Sequence, residues 1–569
     1  MKERIVHALL GELKDHLPPE AIEKAVEIPP SDDLGDYAFP CFSLSKLLRK
    51  NPAQIAAELK EKIEQSGELG KNGVRTETAG GYLNFFVDKR LLAESTLKLA
   101  ASDNFGTGSV NQRIVVEFAS PNTNKPLHLG HLRNMSIGDS IARILSFCGC
   151  EVFRTSINND RGVHICKSML AYKNCGDGAT PESAGIKSDH FVGNFYVMFN
   201  DRAADDSPWN DDAQKMLVDW ENGDLETLEL WKKMNTWALD GFRETYRLFG
   251  VSFDKEYYES DIYKDGKEIV LDGLGKNIFC KREDGAIFVD LEKEKLGTKV
   301  LLRPDGTSVY IVQDLYLALL KDKEFSYNRS FYVVGNEQDH HFAQLIAIFK
   351  KLGYDVAEKM KHLSYGMVEL PEGKMKSREG TVVDADDLIN ETKNLAKQEV
   401  ITRYELSDEQ AEDRSLKIAL AAIKYQLLKI DITKNMVFDP KVAISFEGDT
   451  GPYLLYSYAR ASSIIRKAGD KQHTPTVIPE KLENAEIRLI KKIAFFPSAI
   501  GYAYDRLSPS VVASYAFDLA QIFNEFYHAH QVIGSGGDVE NFRVGLVSGF
   551  RQTVGKCLTL LGIEAIEEM

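Results

Sequence analysis

Hydrophobic and polar residues change their spacing along this chain in a way that divides it into three stretches. In the first, "MKERIVHALLGELKDHL" (1–17) and "NPAQIAAELKEKIEQSG" (51–67) carry apolar residues three and four apart, the spacing of one helix face. They bracket "PPSDDLGDYAFPCFSLSKLL". A strand-like run, "GGYLNFFVD", and a Gly/Ser/Asn loop, "FGTGSVNQ", follow. Residues 1–110 are therefore expected to form a separate α+β unit. From 111 the alternation changes: strand "RIVVEFA", a helix, strand "EVFRTSI", another helix, and then "SVYIVQD" and "SFYVVGN" as later strands of one sheet. This βαβ order implies a parallel, Rossmann-type sheet whose loops gather at the carboxyl ends of the strands. It spans 111–440, interrupted by an insertion at about 170–300. After about 400 the pattern turns helical. Residues 441–569, with "SYAFDLAQIFNEFYHAH" and "VGLVSGFRQTVGKCLTLLGI", read as an all-α bundle, with a polar linker at 467–480. The expected fold class is α/β, flanked by α+β and all-α units.

Composition narrows the picture modestly. The 569 residues are 43% apolar and 27% charged, enough for a sizeable core. No apolar run reaches the ~18 residues a membrane helix needs, so no membrane partner is expected. Residues 1–17 are charged throughout and read as an amphipathic surface helix rather than a signal peptide. The seven cysteines include no C-x-x-C pair, Cys148 and Cys150 being closest, which argues against a disulfide framework or a structural zinc site. Reduced core thiols in a cytoplasmic protein are expected. The net charge of -15 alone argues against nucleic acid. Residues 199–230 hold ten acids and two bases, however, more than half of that excess. Bulk charge therefore does not decide the partner.

One stretch concentrates chemistry. "SPNTNKPLHLGHLRN" (120–134) leaves the first strand of the sheet and enters a helix. A helix N-terminus at the carboxyl edge of a parallel sheet is a phosphate site, because free N–H groups and the helix dipole face the ligand. His128 and His131 there are placed to donate to phosphate oxygens. Gly130 lets a flat base approach the backbone, Lys125 adds a cation, and Pro121 and Pro126 stiffen the loop. Taken alone, H-x-x-H also suits a polar surface or half of a metal site. Further on, "GKMKSREGTVV" (373–383) sets Lys374, Lys376 and Arg378 between glycines. That loop suits a leaving pyrophosphate, although short basic runs are commonly solvated turns.

Together these residues carry a resemblance. "HLGH" and "KMKSR" resemble the HIGH and KMSKS motifs of class I aminoacyl-tRNA synthetases. "VEFASPNTNKPLHLGHLRN", "DGTSVYIVQDLYLA", "VVGNEQDHHF" and "FEGDTGPYLLYSYARA" are similar to arginyl-tRNA synthetases in particular. The N-terminal unit, with "GDYAFPCFSLSK" and "GGYLNFF", resembles that family's additional domain. The C-terminal helices resemble its anticodon-binding domain. The resemblance implies activation of L-arginine by ATP to an adenylate, then transfer to the 2′-hydroxyl of the terminal adenosine of tRNA, with tRNA bound before activation. Mg²⁺ accompanies ATP, no all-protein metal cage is expected, and the chain is expected to be a monomer. His128, Gly130, His131, Met367, Val368, Lys374 and Met375 are implied as ATP contacts. His128, His131, Lys125, Lys374 and Lys376 are the implied catalytic set. One departure stands out. The family-wide loop has serine where Lys376 stands and lysine where Ser377 stands, and Lys125, just upstream of the first motif, is read as the substitute cation.

A guanidinium is a planar cation with five donors, so its pocket needs forked acceptors. Tyr310 and Asp314 stand four apart and share a face if the chain turns helical there. The resemblance assigns them, with Glu259, to the guanidinium, and Glu117, Ser120, Asn122 and Gln338 to the amino and carboxylate ends. Each alone is more readily read as ordinary hydrogen bonding at a strand end, and only the ordered set of motifs favours the site. His164, His340 and His341 stay open between site residues and structural polar neighbours. For tRNA, Tyr82 and Asn84 match the positions that read a D-loop base in some relatives, and Tyr527 and Met569 match the anticodon end. Two rivals remain at this point: another HxGH nucleotidyltransferase making a dinucleotide-like product, and a tRNA-binding scaffold that has lost catalysis.

Overall fold

The computed structural model describes the chain except for residues 30, 204–207, 372–382, 404 and 470–476. Near the N-terminus, β1 (Tyr37–Pro40), β2 (Val74–Ala79) and β3 (Tyr82–Val87) form an antiparallel sheet in the order β1-β3-β2. Alternate residues Leu83, Phe85 and Val87 enter one core with Ile55, Leu59 and Ile63 of the helix Pro52–Ser66.

The central sheet contains β4 (Arg113–Glu117), β5 (Glu151–Asn158), β6 (Lys255–Tyr258), β10 (Arg329–Gly335) and β11 (Met360–Tyr365). Their order is β11-β10-β4-β5-β6 and every pairing is parallel. The chain leaves β4 towards β5 and β6 on one side and later fills the other side with β10 and β11. That makes the carboxyl end of β4 a topological switch point, where open α/β sheets bind ligands. Between β6 and β10 lies a small antiparallel sheet of β7 (Cys280–Lys281), β8 (Ile287–Asp290) and β9 (Thr298–Leu302).

Two expectations need correction. "SVYIVQD" is not a sheet strand, for a helix begins at Tyr310 and runs to Phe325. Ile311, Leu315 and Ala318 recur at helical spacing and bury together, and the short apolar run was too brief to reveal this period. The insertion is also not wholly outside the sheet. Its long helix Leu225–Phe249 ends at Gly250, and β6 then returns as the edge strand, too polar to read as one.

The helix Leu129–Phe147 crosses from β4 to β5 and is buried along almost its whole length, so polar residues occur all round it. Its far half meets the C-terminal bundle, where Ser140 Oγ donates to Leu560 O at 2.8 Å. The bundle includes Gly451–Ala468, Asn484–Ala494, Phe496–Arg506, Pro509–Ala529 and Gly537–Leu560, with Phe523 stacked on Phe550 at 3.8 Å. It also docks on the N-terminal unit, for Asp36 pairs with both Lys89 (2.6 Å) and Lys491 (3.0 Å). Among the described residues, no helix is long and apolar enough to cross a membrane.

Candidate active site

The switch point begins with strained backbone. Directly after β4, Ala119 and Ser120 both have positive φ (72° and 49°), which non-glycine residues rarely adopt. Buried side chains hold them. Ala119 N–H donates to Asn134 Oδ1 at 2.5 Å, and Ser120 N–H to Ser156 Oγ at 3.3 Å. Asn159, just beyond β5, donates its amide to Ser120 O at 3.3 Å and its backbone N–H to Pro121 O at 2.9 Å. The loop is thereby strapped to the end of β5 before it turns into the helix.

His128 is the N-cap of that helix and His131 its third residue. The two rings form a reciprocal cap: His128 Nδ1 accepts from Gly130 N–H at 3.1 Å, and His131 Nδ1 accepts from His128 N–H at 3.0 Å. Each Nδ1 is thus an acceptor, which fixes the proton on Nε2 of a neutral ring. Burial, reinforced by Lys125, pulls His128 down to about 4, and burial pulls His131 well below its ordinary value. Both rings therefore present Nε2–H as neutral donors at physiological pH. A Cβ at position 130 would come within 2.9 Å of the His128 ring, so glycine also clears the cap. From the other side, Leu129 N–H donates to Val383 O and Ala385 N–H to Leu127 O (3.1 and 3.0 Å).

Beside this turn opens a cleft of about 680 Å³. Asn122, Lys125, Glu259, Tyr310, Asp314 and Gln338, all expected from sequence, line it together. Tyr310 and Asp314 occupy successive turns of the helix Tyr310–Phe325, and Tyr310 is 67% exposed at its start. Asp314 Oδ2 lies 2.7 Å from His341 Nε2. Glu259 is only 4% exposed, with Arg161 Nη1 at 3.7 Å. Burial pushes its carboxyl up to about 7 against the opposing pull of Arg161 and Gln313, and Asp160 and Asp314 push the same way as burial. Burial also lowers Lys125. The wall thus combines two carboxylates with a desolvated lysine.

Glu117 does not line the cleft. Its carboxylate accepts from Lys321 Nζ at 2.8 Å, and Lys321 is 0% exposed under the Tyr332 ring. The contact engages Oε2, and the pair sits behind the cleft rather than in its wall. Ser120 forms the strained turn rather than the wall. Met367 is 40% exposed and Val368 buried, just past the carboxyl end of β11. Lys374, Met375 and Lys376 lie outside the described residues. Tyr82 packs edge-on against Phe42 at 5.2 Å. Asn84 is 4% exposed in the middle strand of the N-terminal sheet, so its amide is not presented to solvent as the reading of an RNA base requires. Tyr527 is exposed on the bundle with the Arg460 guanidinium 4.5 Å from its ring, and Met569 is partly buried against the core. Sequence reasoning missed Arg161, Asn159 and Lys321, because each acts on a partner remote in the chain.

Comparisons with known proteins agree with this arrangement. The family model for the class I (R) tRNA synthetase catalytic domain matches residues 96–440. Models for the arginyl tRNA synthetase N-terminal domain and the DALR anticodon-binding domain match residues 2–87 and 454–569. The arginine–tRNA ligase of Treponema denticola is 43% identical over 581 residues, covering 99% of this chain and 98% of its own. That of Bacteroides thetaiotaomicron is 41% identical over 603 residues, covering all of both chains. The solved Thermus thermophilus arginyl-tRNA synthetase superposes with a TM-score of 0.86 at 28% identity, over the full length of both. With the three domains present in order and the cleft at the switch point, the chain belongs to the arginyl-tRNA synthetase family of class I aminoacyl-tRNA synthetases.

Proposed function

We propose that the chain joins L-arginine to its tRNA by way of arginyl-adenylate. In this reading the guanidinium lies against Asp314 and Glu259, and the ATP phosphates lie at His128, His131 and Lys125. One observation carries it: both carboxylates, Tyr310 and Gln338 share a single cleft with Asn122 and Lys125 of the loop after β4.

In the first step, a carboxylate oxygen of arginine attacks the α-phosphorus of ATP, the bond to the β-phosphate oxygen breaks, and pyrophosphate departs. Charge grows on the phosphate oxygens, so the protein contributes positioning and fixed donors rather than a nucleophile. Neutral imidazoles with committed Nε2–H groups serve this purpose and need no reorganisation. Lys125, Lys374 and Lys376 supply positive charge to the departing phosphates, and Met367, Val368, Gly130 and Met375 border the nucleotide. Asn122 and Gln338 hold the amino-acid end. In the second step, the terminal ribose 2′-hydroxyl of tRNA attacks the carbonyl carbon of the adenylate and AMP leaves. Lysine is rejected because a point-charge ammonium leaves one acceptor of the fork unpaired, which is worth on the order of 10⁴-fold in sites built on such bonds.

Mg²⁺ would arrive on ATP, held by phosphate oxygens and water. Among the described residues, Asp189, His190 and Asp386 converge closely enough to ligate an ion. Lys187 Nζ already fills that cluster, 2.6 Å from Asp386 and 3.3 Å from Asp189. The division of labour is residues 1–110 for the tRNA body, with Tyr82 facing it; 111–440 for catalysis; and 441–569 for the anticodon, with Tyr527 and Met569. The chain acts as a cytoplasmic monomer. The test is ATP–pyrophosphate exchange. Exchange stimulated by arginine only in the presence of arginine-accepting tRNA supports the reading, and exchange driven by another amino acid opposes it.

A further inference from the structure

Arg133 is a buried cation held by main-chain oxygens. It follows His131 by two residues on the helix Leu129–Phe147, the signature helix, and is 0% exposed. No carboxylate pairs with it among the described residues; its acceptors are main-chain oxygens. Nη1 donates to Met367 O at 2.9 Å, and Nη2 to Lys434 O at 2.6 Å and Ile432 O at 3.3 Å. Its Nε has no acceptor among the described residues. Burial draws the guanidinium down to about 10. Burying a guanidinium whose partners are neutral carbonyls is costly, and an apolar side chain would fill the same volume without that penalty. Its geometry therefore matters more than its contribution to stability.

That geometry converges on Met367. While Arg133 holds its carbonyl, Asn435 Oδ1 accepts from its N–H at 2.8 Å, and Met436 N–H donates to its oxygen at 2.9 Å. Next door, Val368–Glu369 pairs in parallel with Met436–Val437. At Gly366 a Cβ would fall 2.5 Å from the Lys434 carbonyl carbon, so the two backbones touch. The segment 366–369 is thus clamped between the signature helix and the segment 432–437.

We infer that Arg133 is a positioning residue for the nucleotide: it registers the Met367–Val368 wall to the signature helix, so that the groups flanking the base and those holding the phosphates keep one separation. This rests on the reading above that ATP lies along Met367 and Val368. The planar fork reaches two chain segments at once, which a lysine ammonium cannot do.

The test uses the full-length chain with tRNA, measuring KM for ATP and for arginine by pyrophosphate exchange, alongside melting temperature. Arg133→Lys is expected to raise KM for ATP about tenfold and to leave KM for arginine within about twofold, as a displaced substrate wall would do. Asn435 is exposed, so Asn435→Ala is expected to fold normally and raise KM for ATP severalfold. This variant decides the matter should Arg133→Lys not fold. Parallel changes in both KM values, or no change for ATP in folded Asn435→Ala, would overturn the inference. Met367→Glu separates the two levels. If it leaves KM for ATP unaltered, the nucleotide reading itself fails; if it raises that KM while Arg133→Lys and Asn435→Ala do not, only the role of Arg133 fails.

Discussion

His341 Nε2 stands 2.7 Å from Asp314 Oδ2, so the carboxylate offered to the substrate guanidinium is already held in one orientation. Holding it lowers the ordering cost of binding. His341→Ala frees the carboxylate and is expected to raise KM for arginine about tenfold, with His341→Gln recovering much of the loss through its amide. Steady-state kinetics with arginine varied and ATP saturating measures this. An unchanged KM in the alanine variant would separate His341 from the substrate.

Glu259 makes arginine binding sensitive to pH. Its carboxyl sits at about 7, raised chiefly by burial. A guanidinium binds the ionised form, so binding below that value must release a proton. Arginine affinity is therefore expected to fall about tenfold between pH 8 and pH 6, and the Glu259→Gln variant to bind weakly with little pH dependence. For folding the sign is the reverse. The folded state holds this proton more tightly than the unfolded chain, so Glu259 favours folding increasingly as pH falls through 7. Calorimetric titration at several pH values checks the first statement.

The histidines should not contribute to that limb, since burial keeps His128 neutral down to about 4. His128→Asn preserves an N-cap and hence the helix, but removes the Nε2–H donor. A loss of about 10²-fold in the activation rate is expected, with the melting temperature nearly unchanged. Single-turnover adenylate formation measures the rate, and a folded variant of normal rate would remove His128 from phosphate stabilisation.

The Glu117–Lys321 pair should act on stability instead. Lys321→Met strands a buried carboxylate and is expected to cost about 3–5 kcal/mol. Replacing both residues, as Glu117→Gln with Lys321→Met, should recover a large part of that. Denaturant unfolding monitored in the catalytic domain distinguishes the two outcomes.

What the sequence made legible follows from where the information lies. The signature turn is local: strand, proline-stiffened loop and capping histidines fall within a short run, so His128, Gly130, His131 and Lys125 were found by pattern. Tyr310 and Asp314 were paired by helical spacing even though their segment was first read as a strand. Contacts made by tertiary folding left no local trace. Lys321 takes Glu117 from a distant helix, Arg161 meets Glu259 across the β5–β6 edge, and His341 reaches Asp314 from the helix after β10. The edge strand β6, "KEYY", lacks the apolar run that marks buried parallel strands and was hidden inside the insertion.

The most direct measurement is a crystal of the chain soaked with L-arginine. The guanidinium is predicted to lie within hydrogen-bond distance of both Asp314 and Glu259, with the α-carboxylate turned towards the end of the cleft at Asn122 and Lys125. A guanidinium bound elsewhere, out of hydrogen-bond reach of both carboxylates, would contradict the account.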